Sequence, residues 1–150
     1  MSGKRLLWVQ GLLAFVGFLD ATFLTIEHYM GLSLPCISGF ACDLVTKSSY
    51  AMVGPVPLAL LGSLFYLVFL SGTVYVVTSR DRSARKWLWR LSWVGLVVSA
   101  VLVSLQLFVI HAICIYCMGS AGTSTLLWVT SMWGARQLPL TVTEGEGSVE

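Results

Sequence analysis

The sequence predicts an all-α integral membrane protein: a bundle of four spanning helices, both termini cytoplasmic, with a large outer loop between the first and second helices. Three observations predict it. Apolar residues make up 57% of the chain and charged residues only 11%, against about 25% charged in an ordinary soluble domain, and the mean hydropathy is +0.84. Residues 6–26, 56–78, 91–110 and 112–134 each approach the ~20 residues that cross a hydrocarbon core, and the last three hold no Asp, Glu, Lys or Arg. Eight of the nine basic residues fall on what would be one side of such a bundle. Backbone in lipid must satisfy its own hydrogen bonds, and nothing here alternates as a barrel strand does, so helices are the expected form.

The first span, residues 6–27, follows Lys4 and Arg5. It is too long for a signal-peptide core and runs into Glu27-His28-Tyr29 instead of a small-residue cleavage site, so it is expected to be retained. Asp20 sits some two turns inside its outer end, and an ionisable group at that depth is a functional candidate; a carboxyl bonded to a neighbouring helix is the plainer alternative. The loop over residues 29–55 is longer than a bundle connection needs, and with the adjoining Pro57 it carries Pro35, Gly39, Gly54, Pro55 and a polar run at 43–50. Ser48 lies in that run, either orienting loop backbone or bonding a cysteine, or simply forming a turn.

The second span covers residues 56–78, and a link from Arg80 to Arg90 with five basic residues leads to the third, 90–110. A turn at His111 leads to the fourth, 112–134, then Arg136 and a solvated tail at 141–150. Basic residues stay cytoplasmic, so the termini and the Arg80–Arg90 link face in, while the 29–55 loop and His111 face out. Tyr29, Tyr50, Trp87, Trp89, Trp93 and Trp133 fall near span ends and form an interfacial belt. There is no domain boundary and no repeat, and a net charge of +2 offers no patch for nucleic acid.

All four cysteines, Cys36, Cys42, Cys114 and Cys117, then lie on the outer side, where disulfides form and persist. Cys114 and Cys117 stand three apart at the start of the fourth span, sharing a helix face. A first helical turn offers free N–H groups and a partial positive charge that favours a thiolate. Their separation also lets them close into a disulfide. Cys36 and Cys42 sit in an aqueous loop that a soluble thiol protein can reach. A four-cysteine zinc site is disfavoured by the five-residue gap between Cys36 and Cys42 and by the oxidising compartment. A permanent crosslink within one helical turn would close almost no loop and stabilise little, which leaves redox chemistry as the better use.

The chain resembles the vitamin K epoxide reductase family, quinone-linked membrane thiol oxidoreductases built as four-helix bundles. The matching residues are Asp20 to His28, Cys36, Cys42-Asp43, Val45, Ser48, Tyr50-Ala51, Gly54, Pro57, Ala59, Gly62, Tyr66 and Cys114-Ile-Tyr-Cys117. In the DsbB family, which does similar work, the Cys-x-x-Cys pair follows the first span, so topology places that family second. The resemblance implies that a Cys36–Cys42 disulfide exchanges with a thioredoxin-fold partner, Cys36 being attacked first. Cys42 then attacks Cys114, Cys117 is freed to donate to a bound quinone, and Cys36 resolves the Cys42–Cys114 bridge. Direction comes from the redox difference between partner and quinone, about 30 mV per 1.4 kcal/mol.

The quinone, of menaquinone, ubiquinone or vitamin K type, is expected between helices near Cys117, with Met118, Phe65 and Tyr66 as candidate walls. The vertebrate members hold the quinone oxygens with an Asn in the second span and a Tyr one turn after the second helix cysteine. Leu58 and Ala121 stand at those positions here, which argues against epoxide reduction and leaves a vitamin K quinone or epoxide reductase proper as an alternative reading. His28, Glu27 and His111 are candidate proton carriers. Many bacterial relatives carry a fused thioredoxin-like domain; with none in this sequence, the expected partner is a separate DsbA-like protein outside a bacterial cytoplasmic membrane. The competing class is a non-enzymatic membrane subunit with structural cysteines.

Overall fold

A computed structural model describes residues 3–31, 33, 36 and 40–136. Pro35, Gly39 and the tail at 141–150 lie outside the described residues. In chain order the helices are α1 (Gly3–Met30), the short α2 (Cys42–Thr46), α3 (Leu58–Ser79), α4 (Arg82–Leu105) and α5 (Ile115–Arg136). The four long ones form a closed ring, α1 against α3 and α5, α4 against α5 and α3.

Local sequence sets the ends. Pro57 precedes α3, where its fixed φ is extended and its missing N–H costs nothing. α3 stops at Arg80, which turns into the left-handed region and donates its N–H to the Val76 carbonyl at 3.0 Å. Asp81 then caps α4, its Oδ1 accepting the Ser83 N–H at 2.8 Å. The basic link expected at Arg80–Arg90 is therefore a two-residue turn followed by the first turns of α4. Leu88 packs onto the bare backbone of Gly72 and draws this basic segment against α3 as helix. α4 continues through a π turn, Gln106–Ile110, which ends at His111 in left-handed conformation.

Three helices, Arg5–Met30, Leu58–Ser79 and Arg82–Ile110, are long and apolar enough to cross a membrane, and the chain is an integral membrane protein. α5 is as long, but Ser120, Thr123, Ser124, Thr125, Thr130 and Ser131 lower its hydropathy. The three threonine hydroxyls donate to carbonyls one turn back, and the three serines pair with Tyr66 of α3 and Gln10 of α1. Large apolar side chains such as Trp8, Leu12, Phe15 and Leu19 point outward from α1. Facing in are small residues such as Ala14 and Ala21, a few hydrogen-bonded polar groups, and large apolar ones including Phe69, Leu88 and Leu127. Gln10 of α1 thus donates to Ser131 of α5 at 2.9 Å, fully inside. Of the aromatic belt, Tyr29 and Tyr50 are exposed near one end of the bundle, Trp87 and Trp133 near the other, while Trp93 packs edge-on to Trp128.

Phe65 and Tyr66 fasten the middle of the bundle. The Tyr66 ring lies against Gly17 of α1 and the Phe65 ring against Gly95 of α4, leaving no room for a Cβ at either glycine. Gly17→Ala and Gly95→Ala are each expected to cost about 1–3 kcal/mol through overpacking. A lowered midpoint in SDS unfolding checks this, and an unchanged one would contradict the packing.

The segment between α1 and α3 is less a loop than a small cap. α2 leads to a 3₁₀ turn at Ser49–Ala51 and then to a hairpin, β1 (Met52–Val53) and β2 (Val56–Pro57), in antiparallel register Met52↔Pro57. Gly54 takes the positive φ that the two-residue hairpin turn demands.

Candidate active site

Cys42 opens α2 and Cys114 immediately precedes α5, and the fold brings these two starts together. The Ala41 N–H donates to the Ile113 carbonyl at 3.1 Å, so the residues just before Cys42 and Cys114 are hydrogen-bonded to each other. Cys42 (1% exposed) and Cys114 (0%) are buried in one cluster with Leu24, Val45 and Ala112, and Cys36 and Cys117 pack against it half-buried. Cys36 and Cys42 are joined in a disulfide with Cα atoms 6.2 Å apart, and Cys114 and Cys117 are free thiols. Among the described residues no group of three or more His, Cys, Asp or Glu side chains is gathered as a metal site.

Cys114 occupies the cap of α5. Its carbonyl accepts the Met118 N–H at 3.0 Å and its Sγ accepts the Cys117 N–H at 3.5 Å, an orphan donor of the first turn. Its own N–H donates to Oε1 of Gln106 at 3.1 Å. The expectation of a pair sharing one helix face is thereby refined. Cys114 looks toward the loop cysteines, whereas Cys117, one turn into α5, faces a cavity of about 140 Å³ enclosed by α1, α3, α4, α5 and the α2 cap.

Leu58 and Ala121 both line that cavity, on α3 and α5, together with Cys117 and Ser48. Ser48 bonds no cysteine; its hydroxyl donates to the Val45 carbonyl at 2.7 Å and closes the end of α2, which holds the cap over the cavity. Met118, Phe65 and Tyr66 do not line it. Met118, one residue past Cys117 and hence about 100° around the helix, points outward and is 39% exposed. The Tyr66 hydroxyl is used as a strut to α5, within 2.8 Å of the Ser120 carbonyl and 2.8 Å of Ser124 Oγ. Phe65 packs on α4 as described. These two rings sit one to two turns deeper than Leu58 and are spent on helix packing.

Among the proton-carrier candidates, His28 lines the cavity, while His111 is exposed at the turn between α4 and α5. Asp20 is half-buried with Oδ2 unpartnered, off the cavity wall, and Glu27 Oε2 is likewise buried without a partner. Gln106 was not anticipated. It is 3% exposed, lines the cavity and holds the Cys114 amide. A carboxamide inside an otherwise charge-free apolar span was the signal that could have found it.

The cavity suits a quinone ring. Its wall is mainly apolar, and an apolar cavity of about 150 Å³ accepts benzene. Cys117 places a thiol on that wall, while Leu58 and Ala121 offer no hydrogen bond. The model of the vitamin K epoxide reductase family matches residues 8–132, a stretch containing all four cysteines and most of each long helix. No individual curated protein matches the chain. With a family match over most of its length and its cysteines gathered between an outer cap and an apolar cavity, the chain belongs to the vitamin K epoxide reductase family, membrane oxidoreductases that work with quinones.

Proposed function

We propose that the protein is a thiol:quinone oxidoreductase that draws electrons from a separate thioredoxin-fold, DsbA-like partner and so supports disulfide formation in exported proteins. The observation that carries this is the meeting of Cys42 and Cys114 in one buried cluster, pinned by the Ala41–Ile113 hydrogen bond. Four spans, a bacterial cytoplasmic membrane and outward-facing cysteines belong to the same proposal. The basic residues from Arg80 to Arg90 lie at the opposite end of the bundle from the cysteines, which supports that sidedness.

In this cycle a partner thiolate attacks Cys36, and the partner's second thiol completes its own disulfide, leaving Cys36 and Cys42 reduced. Cys42 attacks Cys114 of a Cys114–Cys117 disulfide, the Cys42–Cys114 bond forms, and Cys117 leaves as a thiolate. Cys36 then attacks Cys42, which restores the loop disulfide and releases Cys114. The helix pair now holds both electrons. A bound quinone supplies the sink, taking up two electrons and two protons. The N-terminal turn of α5 stabilises negative charge on Cys114 as it leaves. Ala121 and Leu58, where the vertebrate members carry polar groups, argue against an epoxide substrate.

Isolating Cys36→Ser without reductant is the decisive experiment. A Cys42–Cys114 bridge is expected in most of the population by non-reducing peptide mapping, because the resolving thiol is gone. Finding Cys114–Cys117 intact and Cys42 unpaired would instead favour a non-enzymatic subunit with static crosslinks.

A further inference from the structure

We propose that the side-chain amide of Gln106 is the hydrogen-bond donor that holds a quinone carbonyl in the cavity beside Cys117. This inference rests on the quinone reading above and deepens it by naming the group that recognises the oxidant.

A quinone ring entering an apolar cavity strips its two carbonyl oxygens of water, and an oxygen buried without a donor is costly. Leu58 of α3 and Ala121 of α5, both on the cavity wall, have no side-chain N–H or O–H to offer. Most other hydroxyls on the wall are already committed. Thr46 donates to the Cys42 carbonyl at 3.0 Å, Ser48 to the Val45 carbonyl, and Ser120 shares its hydroxyl with Tyr66 at 3.0 Å.

Gln106 is different. The Cys114 N–H needs an acceptor, so the carboxamide oxygen must be the atom facing it, which fixes the orientation of the amide. Nε2 then carries two N–H groups with no protein acceptor among the described residues, on a side chain that is 3% exposed and lines the cavity. The backbone is built around this residue. It opens the π turn, and its carbonyl accepts the Ala112 N–H at 3.1 Å, so the α4–α5 connection is tied to it at two points, Ala112 and Cys114. One π turn inside a long helix shifts the facing of its residues and recurs at functional sites. A single amide would thus grip the oxidant with one end and the cap of the redox helix with the other.

Ser99, seven residues earlier on the same face of α4, also lines the cavity, as do His28 and Tyr50, and these are the competing donors.

The probe is menadione, bound to the purified full-length protein in detergent micelles. Its dissociation constant is followed by tryptophan quenching and its carbonyl stretch by infrared difference spectroscopy. Wild type is expected to lower the frequency of one carbonyl band. Gln106→Met is expected to raise the dissociation constant about tenfold, the loss of one hydrogen bond to a neutral acceptor, and to abolish that shift. Because the same change frees the Cys114 amide, it is repeated in the Cys36→Ser background, where continued trapping of the Cys42–Cys114 bridge shows that the cap has stayed in place. Should Gln106→Met fail to fold, wild type labelled with ¹⁵N-glutamine gives the answer, since the Gln106 amide resonance must move when menadione is added. Unchanged affinity and carbonyl band in Gln106→Met, an unmoved amide resonance, or loss of the shift in Ser99→Ala instead would each overturn the assignment. A wild-type protein that binds neither menadione nor decylubiquinone would overturn the quinone reading itself.

Discussion

Cys117→Ser is expected to oxidise one equivalent of a reduced thioredoxin-fold partner and then stop. The Cys36–Cys42 disulfide is already closed, so the first partner molecule finds a normal electrophile. Its two electrons then have no onward path. Without Cys117 there is no helix disulfide for Cys42 to attack, and a serine hydroxyl supplies neither thiolate nor disulfide sulfur. Steady-state turnover should fall by about 10³-fold or more, the scale seen when a nucleophile is removed, while the stoichiometric burst survives. Stopped-flow mixing of the variant with reduced partner, with and without menadione, separates the two phases. Full turnover by Cys117→Ser would remove Cys117 from the electron path altogether.

Filling the cavity from the α5 side should cost nearly as much by a different route. Ala121 stands one turn after Cys117 on its wall, and an indole there would occupy much of the roughly 140 Å³ available. Ala121→Trp is expected to lose quinone-dependent turnover by about 10²-fold or more through exclusion of the ring. The thiol side should persist, because Cys42, Cys114 and the Ala41–Ile113 hydrogen bond lie in the adjoining cluster. The variant should still oxidise one equivalent of reduced partner through its Cys36–Cys42 disulfide, a step that needs no quinone. A variant that neither turns over nor gives this single-equivalent oxidation would mean that the indole has displaced the α2 cap, and one that turns over normally would mean that the ring binds elsewhere. Together with Cys117→Ser, this divides the cycle into a sulfur half and a quinone half.

Much of the site was legible because it depends on one-dimensional information. The order of a loop pair, two spans and a Cys-x-x-Cys motif is a property of the chain, and the charge pattern sets which ends of the helices group together. Leu58 and Ala121 were singled out only through the resemblance to the vertebrate members, and both lie on the cavity wall. Phe65, Tyr66 and Met118 were not placed correctly, since an aromatic or thioether in a bundle serves packing or a cavity depending on helix rotation. Here Gly17 and Gly95 are the missing information, because each receives a ring that would otherwise be free to face the cavity. The Arg80–Arg90 segment looked like a link because charge was read as an interruption. Asp81 instead starts a helix at once, and exposed Arg and Lys side chains can carry charge toward water from a continuing helix.

The sequence by itself determined that this is a helical membrane protein with two cysteine pairs, because solvent preference and residue order need no neighbours to be defined. Only the tertiary structure decided that Cys42 meets Cys114 while Cys117 alone faces the cavity, and that Gln106 joins the two regions. Those outcomes depend on the rotation of each helix about its axis and on the π turn that resets it. Both are fixed by contacts between residues up to 121 positions apart, such as Tyr66 on Gly17 and Gln10 on Ser131, which no local pattern encodes.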